Sequence, residues 1–258
     1  MAEASHENKS GIMPTRETIK RLVNDVKEII QNPLTDNGIY YTHHDSNMLK
    51  GYAMIIGPED TPYYGGFYFF EFNFPHNYPY SPPVLKFKTG DGMTRFNPNL
   101  YRNGKVCVSI LNTWRGPGWT SCQTISTVLL TLCTLLNDKP LLNEPGILET
   151  HPEFPLYQEI IEYKNISVGV LDFLTRNKQN YPYDFDMFYC FAKQYFLENF
   201  DTYLELASKY KTDFEAKYDG QTSIQLKTGM YNMTVRLDYD ILLNRLVAVK
   251  NSLEVAEK

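Results

Sequence analysis

A chain of 258 residues with 43% hydrophobic side chains can bury one sizeable core, as one large domain or a domain with an extension. Its net charge of −5 comes with no basic excess in either half, which argues against nucleic acid as a partner, and no apolar run approaches the roughly 20 residues that cross a bilayer, so no membrane partner is expected. Four cysteines, Cys107, Cys122, Cys133 and Cys190, form no CxxC pair, and the opening MAEASHENKS lacks the regions of a secretion signal, so a reducing cytoplasm or nucleus is the expected compartment.

Residues 1–14 are expected to form a flexible tail. From Thr15 to about Gln31, Ile19, Leu22, Val23, Val26, Ile29 and Ile30 recur at helical spacing, with Thr15 as the cap and Pro33 as the stop, which predicts an amphipathic helix. Strand-like segments follow at 38–43, 48–56, 66–74 and 84–88, divided by turn signals such as DSN and GPEDTPYYGG. In FYFFEFNF, Tyr68, Phe70, Phe72 and Phe74 share one face, and Phe69, Glu71 and Asn73 share the other. Connections this short predict an antiparallel meander, because parallel neighbours need a crossover of about a dozen residues or more.

The prolines of FPHNYPYSPPVLKF exclude a central strand and predict a stiff surface loop. Ile125, Val128, Leu129, Leu132, Cys133, Leu135 and Leu136 mark a second amphipathic helix that fades into NDKPLLNEPG. Helical patterns resume at 155–174, 185–210 and 239–256, the last two in an aromatic-rich appendage beginning near Tyr181. The fold class is therefore α+β: an N-terminal helix, a four-stranded meander, a cysteine-bearing loop and C-terminal helices. The expected organisation is a core over 15–175 and a helical extension over 176–258.

Cysteine is usually a small buried hydrophobe, and that reading suits Cys133 on its apolar stripe and Cys190 among aromatics. Cys122 precedes a helix, whose dipole can lower a thiol pKa, so on physical grounds it competes with Cys107. A hydrolytic cysteine needs a histidine base, and none of His6, His43, His44, His76 and His151 lies near Cys107 in sequence. His43 and His44 would point to opposite sides of a strand, so no metal site and no cofactor are expected. Thioester exchange has lighter requirements: one thiol replaces another, the step is nearly isoenergetic, and the few per cent of thiolate present at neutral pH already reacts. It does need a donor for the oxyanion, and Asn99, eight residues before Cys107, offers an amide. Spacing alone favours Asn99 as a turn asparagine bonded to its own loop.

The ordered series GPEDTPYYGGFYFFEFNFPHNYPYSPPVLKF, NPN, GKVCVSIL, Trp119 and NEPG resembles the ubiquitin-conjugating enzymes over roughly residues 15–175, and the forms RFNPNLYRNGKVCVSILNTW and NEPG are most similar to the family's large Z type. The resemblance implies that Cys107 carries ubiquitin, or a second ubiquitin-like modifier, as a thioester received from an activating enzyme. It implies transfer to a lysine-bearing protein substrate with a ubiquitin ligase. By position, Asn99 becomes the oxyanion donor, and Glu144 stands where most members have a lysine-orienting aspartate. Tyr80, with Trp119, Thr120 and Ser121, would meet the activating enzyme and ligases. Asn97 replaces the family's usual histidine, Ser121 its usual proline, and NTWRGPGW is longer than the minimal loop. Tyr80 and Trp119 also read as cover for the core edge, and Glu144 as a solvated acid. A non-catalytic binding module of the same fold is the alternative function, against which the intact Cys107 argues; a cysteine hydrolase would need a histidine beside Cys107.

Overall fold

The computed structural model describes residues 13–255, so the expected N-terminal tail lies outside the described residues except for Met13 and Pro14. The first helix, α1 (Arg16–Gln31), starts where its cap was expected: the Thr15 hydroxyl accepts the Thr18 backbone N–H at 3.1 Å, filling one of the orphan donors of a helix start. It ends at Asn32, the residue before Pro33. Its buried face is Thr18, Leu22, Asp25 and Ile29, a stripe at 3.6-residue spacing. Val23 and Ile30, counted in that stripe from the sequence, are instead 55% and 70% exposed. Asp25, which accepts hydrogen bonds from Arg21 and the buried Tyr78 hydroxyl, occupies the core-facing position between them and turns the two aliphatic residues outward.

Strands β1 (Ile39–His43), β2 (Lys50–Ile56), β3 (Phe67–Asn73) and β4 (Val84–Phe87) form an antiparallel meander in sequential order. The register sets Tyr52 opposite Glu71 and Phe70 opposite Phe87. Phe72 and Phe74 face the side of α1, where the Phe74 ring lies 5.1 Å from Tyr78. The alternate face is buried as well. Phe69 packs 4.5 Å from Phe173 and 5.1 Å from Phe185, and Tyr40 lies 4.2 Å from Phe191. The chain beyond residue 172 thus covers the second face of the sheet, which explains why β3 is aromatic on both sides, a pattern suited to a doubly covered sheet.

Helix α2 (Ile125–Leu135) opens with a capping box between Thr124 and Thr127. Helix α3 (Phe154–Lys164) runs on into a π-helical stretch, Asn165–Asp172, every residue of which is buried. The helix expected over 185–210 is two, α4 (Tyr189–Glu198) and α5 (Phe200–Lys217), broken at Asn199. There the side-chain amide donates back to the Tyr195 carbonyl at 2.8 Å, competing for the helical hydrogen bond. Between α5 and the last helix, α6 (Tyr239–Val255), lies an element the sequence reading missed: the hairpin of β5 (Ser223–Thr228) and β6 (Met233–Asp238), which packs on α3. Its signal was present, since Leu226 and Thr228, then Met233, Val235 and Leu237, alternate buried with exposed residues between them. Arg245 of α6 and Asn180 both bond the Asp172 carboxylate, at 2.8 and 2.6 Å. Buried side chains on both sides of residue 175 share one hydrophobic cluster.

Candidate active site

The segment from Arg95 to Val108 is built by backbone bridges rather than regular strands, pairing Asn97 with Leu100, Leu100 with Val106 and Lys86 with Lys105. Gly104 closes its turn at φ +86°, where a Cβ would sit 2.9 Å from the Phe87 carbonyl oxygen, so glycine is required there. Fully buried Asn97 is the loop's internal brace. Its amide donates to the Leu135 carbonyl at 2.7 Å and the Tyr63 hydroxyl at 3.0 Å, and its carbonyl oxygen accepts the Asn99 backbone N–H at 2.9 Å.

This brace delivers Asn99 to Cys107. The Cys107 backbone N–H donates to the Asn99 carbonyl at 2.9 Å, and Asn99 Nδ2 donates to the Cys107 carbonyl at 2.7 Å. A primary amide has two N–H donors, and among the described residues this bond uses only one of them. Asn99 is 6% exposed, and its own Oδ1 is buried without a partner. Asn99 bonds loop backbone, as a turn asparagine does, and the backbone it bonds is that of the cysteine. The Thr113 hydroxyl accepts from the Val108 N–H at 3.0 Å and donates to the Val106 carbonyl at 2.9 Å, stapling the chain on both sides of Cys107.

Cys107 is 2% exposed, and Cys133 is half-buried with its thiol pushed up by burial. Cys190, expected among buried aromatics, is exposed. Phe188, Ala192 and Phe196, four residues apart, take the buried side of that turn and of α4, and Cys190 falls off their stripe. Cys122 is exposed and lies two residues before the α2 cap. No described histidine bonds Cys107: His43 and His44 bond within β1 and its turn, and His151 meets the Glu153 N–H. Among the described residues no cluster of His, Cys, Asp and Glu is suited to a metal, and no helix is long and apolar enough to cross a membrane.

Glu144 follows the 3₁₀ turn Pro140–Asn143, whose Asn143 amide shares the Leu135 carbonyl with Asn97, at 3.1 Å. The Glu144 loop is thereby tied to the asparagine brace. A depression of about 710 Å³ lies between its neighbour Pro145 and the post-cysteine residues Asn112, Thr113, Trp114 and Arg115. Glu144 is not a free surface acid, because its Oε2 accepts the Tyr231 hydroxyl at 2.6 Å. Arg95 and Tyr231 are the two site residues that sequence reasoning missed. Arg95, 9% exposed, donates to the carbonyls of Asn97 at 3.0 Å and Pro98 at 2.6 Å, and its guanidinium lies 5.0 Å from the Tyr231 ring.

Tyr80 is 67% exposed, so it does not cover the core; its hydroxyl donates to Glu17 of α1 at 3.1 Å. Half-buried Trp119 does cover the core edge, 5.9 Å from Tyr78, and its indole donates to the Pro79 carbonyl at 2.6 Å. The Arg21 guanidinium donates to the carbonyls of Ser121 and Gln123, which brings the exposed Thr120 and Ser121 to the same end of α1 as Tyr80.

The described residues thus form an α+β protein: an N-terminal helix, a four-stranded antiparallel meander and a loop cysteine whose backbone is bonded by a braced asparagine. Comparison with known proteins agrees: a model of the family "Ubiquitin-conjugating enzyme" matches residues 21–151. The ubiquitin-conjugating enzyme E2 Z of Danio rerio is 38% identical over 242 residues, covering 93% of this chain and 70% of that one. Its Homo sapiens counterpart is 38% identical over 233 residues, covering 89% of this chain and 62% of its own length. The solved structure of human ubiquitin-conjugating enzyme E2 G1 is 32% identical, covering 49% of this chain and 98% of that one with a TM-score of 0.41. The chain belongs to the ubiquitin-conjugating enzyme family, a family of transferases whose members act with ubiquitin, an activating enzyme and a ligase.

Proposed function

We propose that this chain accepts ubiquitin as a thioester on Cys107 and passes it to a lysine amine of a protein substrate, with a second ubiquitin-like modifier as an alternative cargo. In the first step the Cys107 thiolate attacks the thioester carbonyl on the activating enzyme; a new C–S bond forms and the enzyme's thiolate leaves. In the second, a neutral lysine amine attacks, a C–N bond forms, the amine's proton departs and the Cys107 thiolate is released. The observation that carries the proposal is the double hydrogen bond between Asn99 and Cys107, which leaves one amide N–H for the oxyanion of each tetrahedral intermediate. Glu144 is assigned to orient the lysine, and Tyr80, Thr120 and Ser121, flanking α1 with Trp119 behind them, to receive the activating enzyme and the ligase. We assign the catalytic core to 15–175 and the helical extension to 176–258, and propose the cytoplasm as the working compartment, with the nucleus as a second.

Incubation with ATP, ubiquitin and each class of activating enzyme, resolved without reductant, should give an adduct that thiol removes. Asn99→Ala should slow discharge of that adduct to lysine by about 10²-fold, the usual loss of one oxyanion donor, and slow loading less. Equal losses in both steps would remove Asn99 from the role, and no adduct from folded protein would favour the non-catalytic binding module.

A further inference from the structure

Glutamate at position 144 poses a physical problem. It has one more rotatable bond than aspartate, so an unrestrained Glu144 carboxylate spreads over more positions and loses more freedom on accepting a hydrogen bond from the lysine amine. The hairpin of the C-terminal extension supplies a restraint. Tyr231 lies 87 residues further along the chain, and its hydroxyl donates to Glu144 Oε2 at 2.6 Å. Among the described residues no side chain bonds Oε1. Burial, and then the adjacent Glu144 carboxylate, push the Tyr231 phenol well above its ordinary range, so it remains a protonated donor across the working pH.

Tyr231 is itself held. It and Asn232 adopt left-handed backbone, φ +60° and +47°, a conformation that non-glycine residues rarely keep unless their surroundings fix it. The Glu153 carboxylate accepts the backbone N–H groups of Gly229 and Met230 at 2.5 and 2.7 Å, and the Thr228 hydroxyl donates to the Met230 carbonyl at 2.7 Å. The Arg102 guanidinium donates to the Tyr231 carbonyl. The ring rests 5.9 Å from Tyr157, whose hydroxyl donates to the Arg95 carbonyl at 2.8 Å, and 5.0 Å from the Arg95 guanidinium that braces Asn97 and Pro98. One tyrosine of the extension therefore touches both the acid on one side of the site and the brace of the asparagine loop on the other.

We propose that Tyr231 is a positioning residue for Glu144: its hydroxyl fixes the carboxylate through Oε2 and leaves Oε1 to receive the incoming lysine. This rests on the assignment of Glu144 as the lysine-orienting group. The extension thereby completes the site, and the longer acid at 144 is matched by a tyrosine that steadies it.

The test is single-turnover discharge of preloaded thioester to two nucleophiles, free lysine and hydroxylamine, the latter a small nucleophile that needs no carboxylate to orient a long side chain. Tyr231→Phe keeps the ring and its stacking, so loading and hydroxylamine discharge should match wild type and the melting temperature should fall by no more than a few degrees, while lysine discharge falls about tenfold, the scale of one hydrogen bond to a charged group. Glu144→Ala should lower lysine discharge at least as far, and the double variant should be no slower than Glu144→Ala alone. Wild-type lysine discharge in Tyr231→Phe beside a slow Glu144→Ala would overturn the proposal and leave the Glu144 assignment standing. Wild-type discharge in Glu144→Ala would overturn that assignment and the proposal with it. Lost loading, or equal losses with both nucleophiles, in Tyr231→Phe would make Tyr231 a support of the fold and also overturn the proposal.

Discussion

The four thiols rank by environment in an order opposite to their proposed importance. Cys122 and Cys190 are exposed, Cys133 is half-buried with its thiol raised by burial, and Cys107 is almost wholly covered. Alkylation needs an accessible thiolate, so brief iodoacetamide treatment followed by peptide mass analysis should label Cys122 and Cys190 first, with Cys133 and Cys107 lagging. Cys107 labelled ahead of the exposed pair would contradict this ordering. The proposed carrier thiol would then be shielded from stray thiols and oxidants until a local opening admits the activating enzyme's thioester. At this scale the sequence pointed to Cys107 and Asn99, because a long ordered series of motifs surrounds them, and the structure brings the two into backbone contact. It disclosed nothing of Tyr231, whose contact with Glu144 bridges 87 residues, or of Arg95, whose bonds to the Asn97 and Pro98 carbonyls exist only once the loop has folded back on it.

At the scale of elements, α3 and α5 meet around a half-buried acid. Burial raises Glu162 from an ordinary carboxylate value to about 7, and the neighbouring Glu159 and Asp213 act in the same direction while Gln158 and Lys209 oppose it. A carboxyl whose pKa is higher folded than unfolded binds more protons in the native state, so stability falls as pH rises from about 4.5 towards 7, and the whole penalty persists above 7. Allowing for solvent screening, that penalty is on the order of 1 to 2 kcal/mol. Glu162→Gln should therefore raise the melting temperature by a few degrees at pH 8 and leave it nearly unchanged at pH 4.5; a gain at pH 4.5 equal to that at pH 8 would refute the assignment. The helices and strands that position the cysteine loop were legible because their apolar residues keep a clean period of 3.6 or 2. The break at Asn199 was hidden by aromatics that continue at helical spacing on both sides. The β5–β6 hairpin was hidden by its shortness and its placement between two helices, although its alternation was there to be read.

Across the whole molecule, the aromatic sheet is covered twice: Tyr68 on one face meets Tyr63, Phe96 and Asn165, and Phe69 on the other meets the chain beyond residue 172. That second cover accounts for the Phe69 side of β3, whose burial the sequence left undetermined, and it carries the hairpin turn back to Glu144. The C-terminal segment thus both covers the Phe69 face of the sheet and reaches Glu144 through Tyr231. The central proposal is that Cys107 is the atom-level carrier of the modifier. The most direct measurement is a loading reaction with Cys107→Ser, in which the labile thioester is replaced by a more durable oxygen ester, followed by protease digestion and mass spectrometry to locate the modifier's C-terminal residues. A thiol-resistant adduct mapped to position 107 is the expected result. A thiol-labile adduct that persists in this variant and maps to Cys122, Cys133 or Cys190 would contradict it.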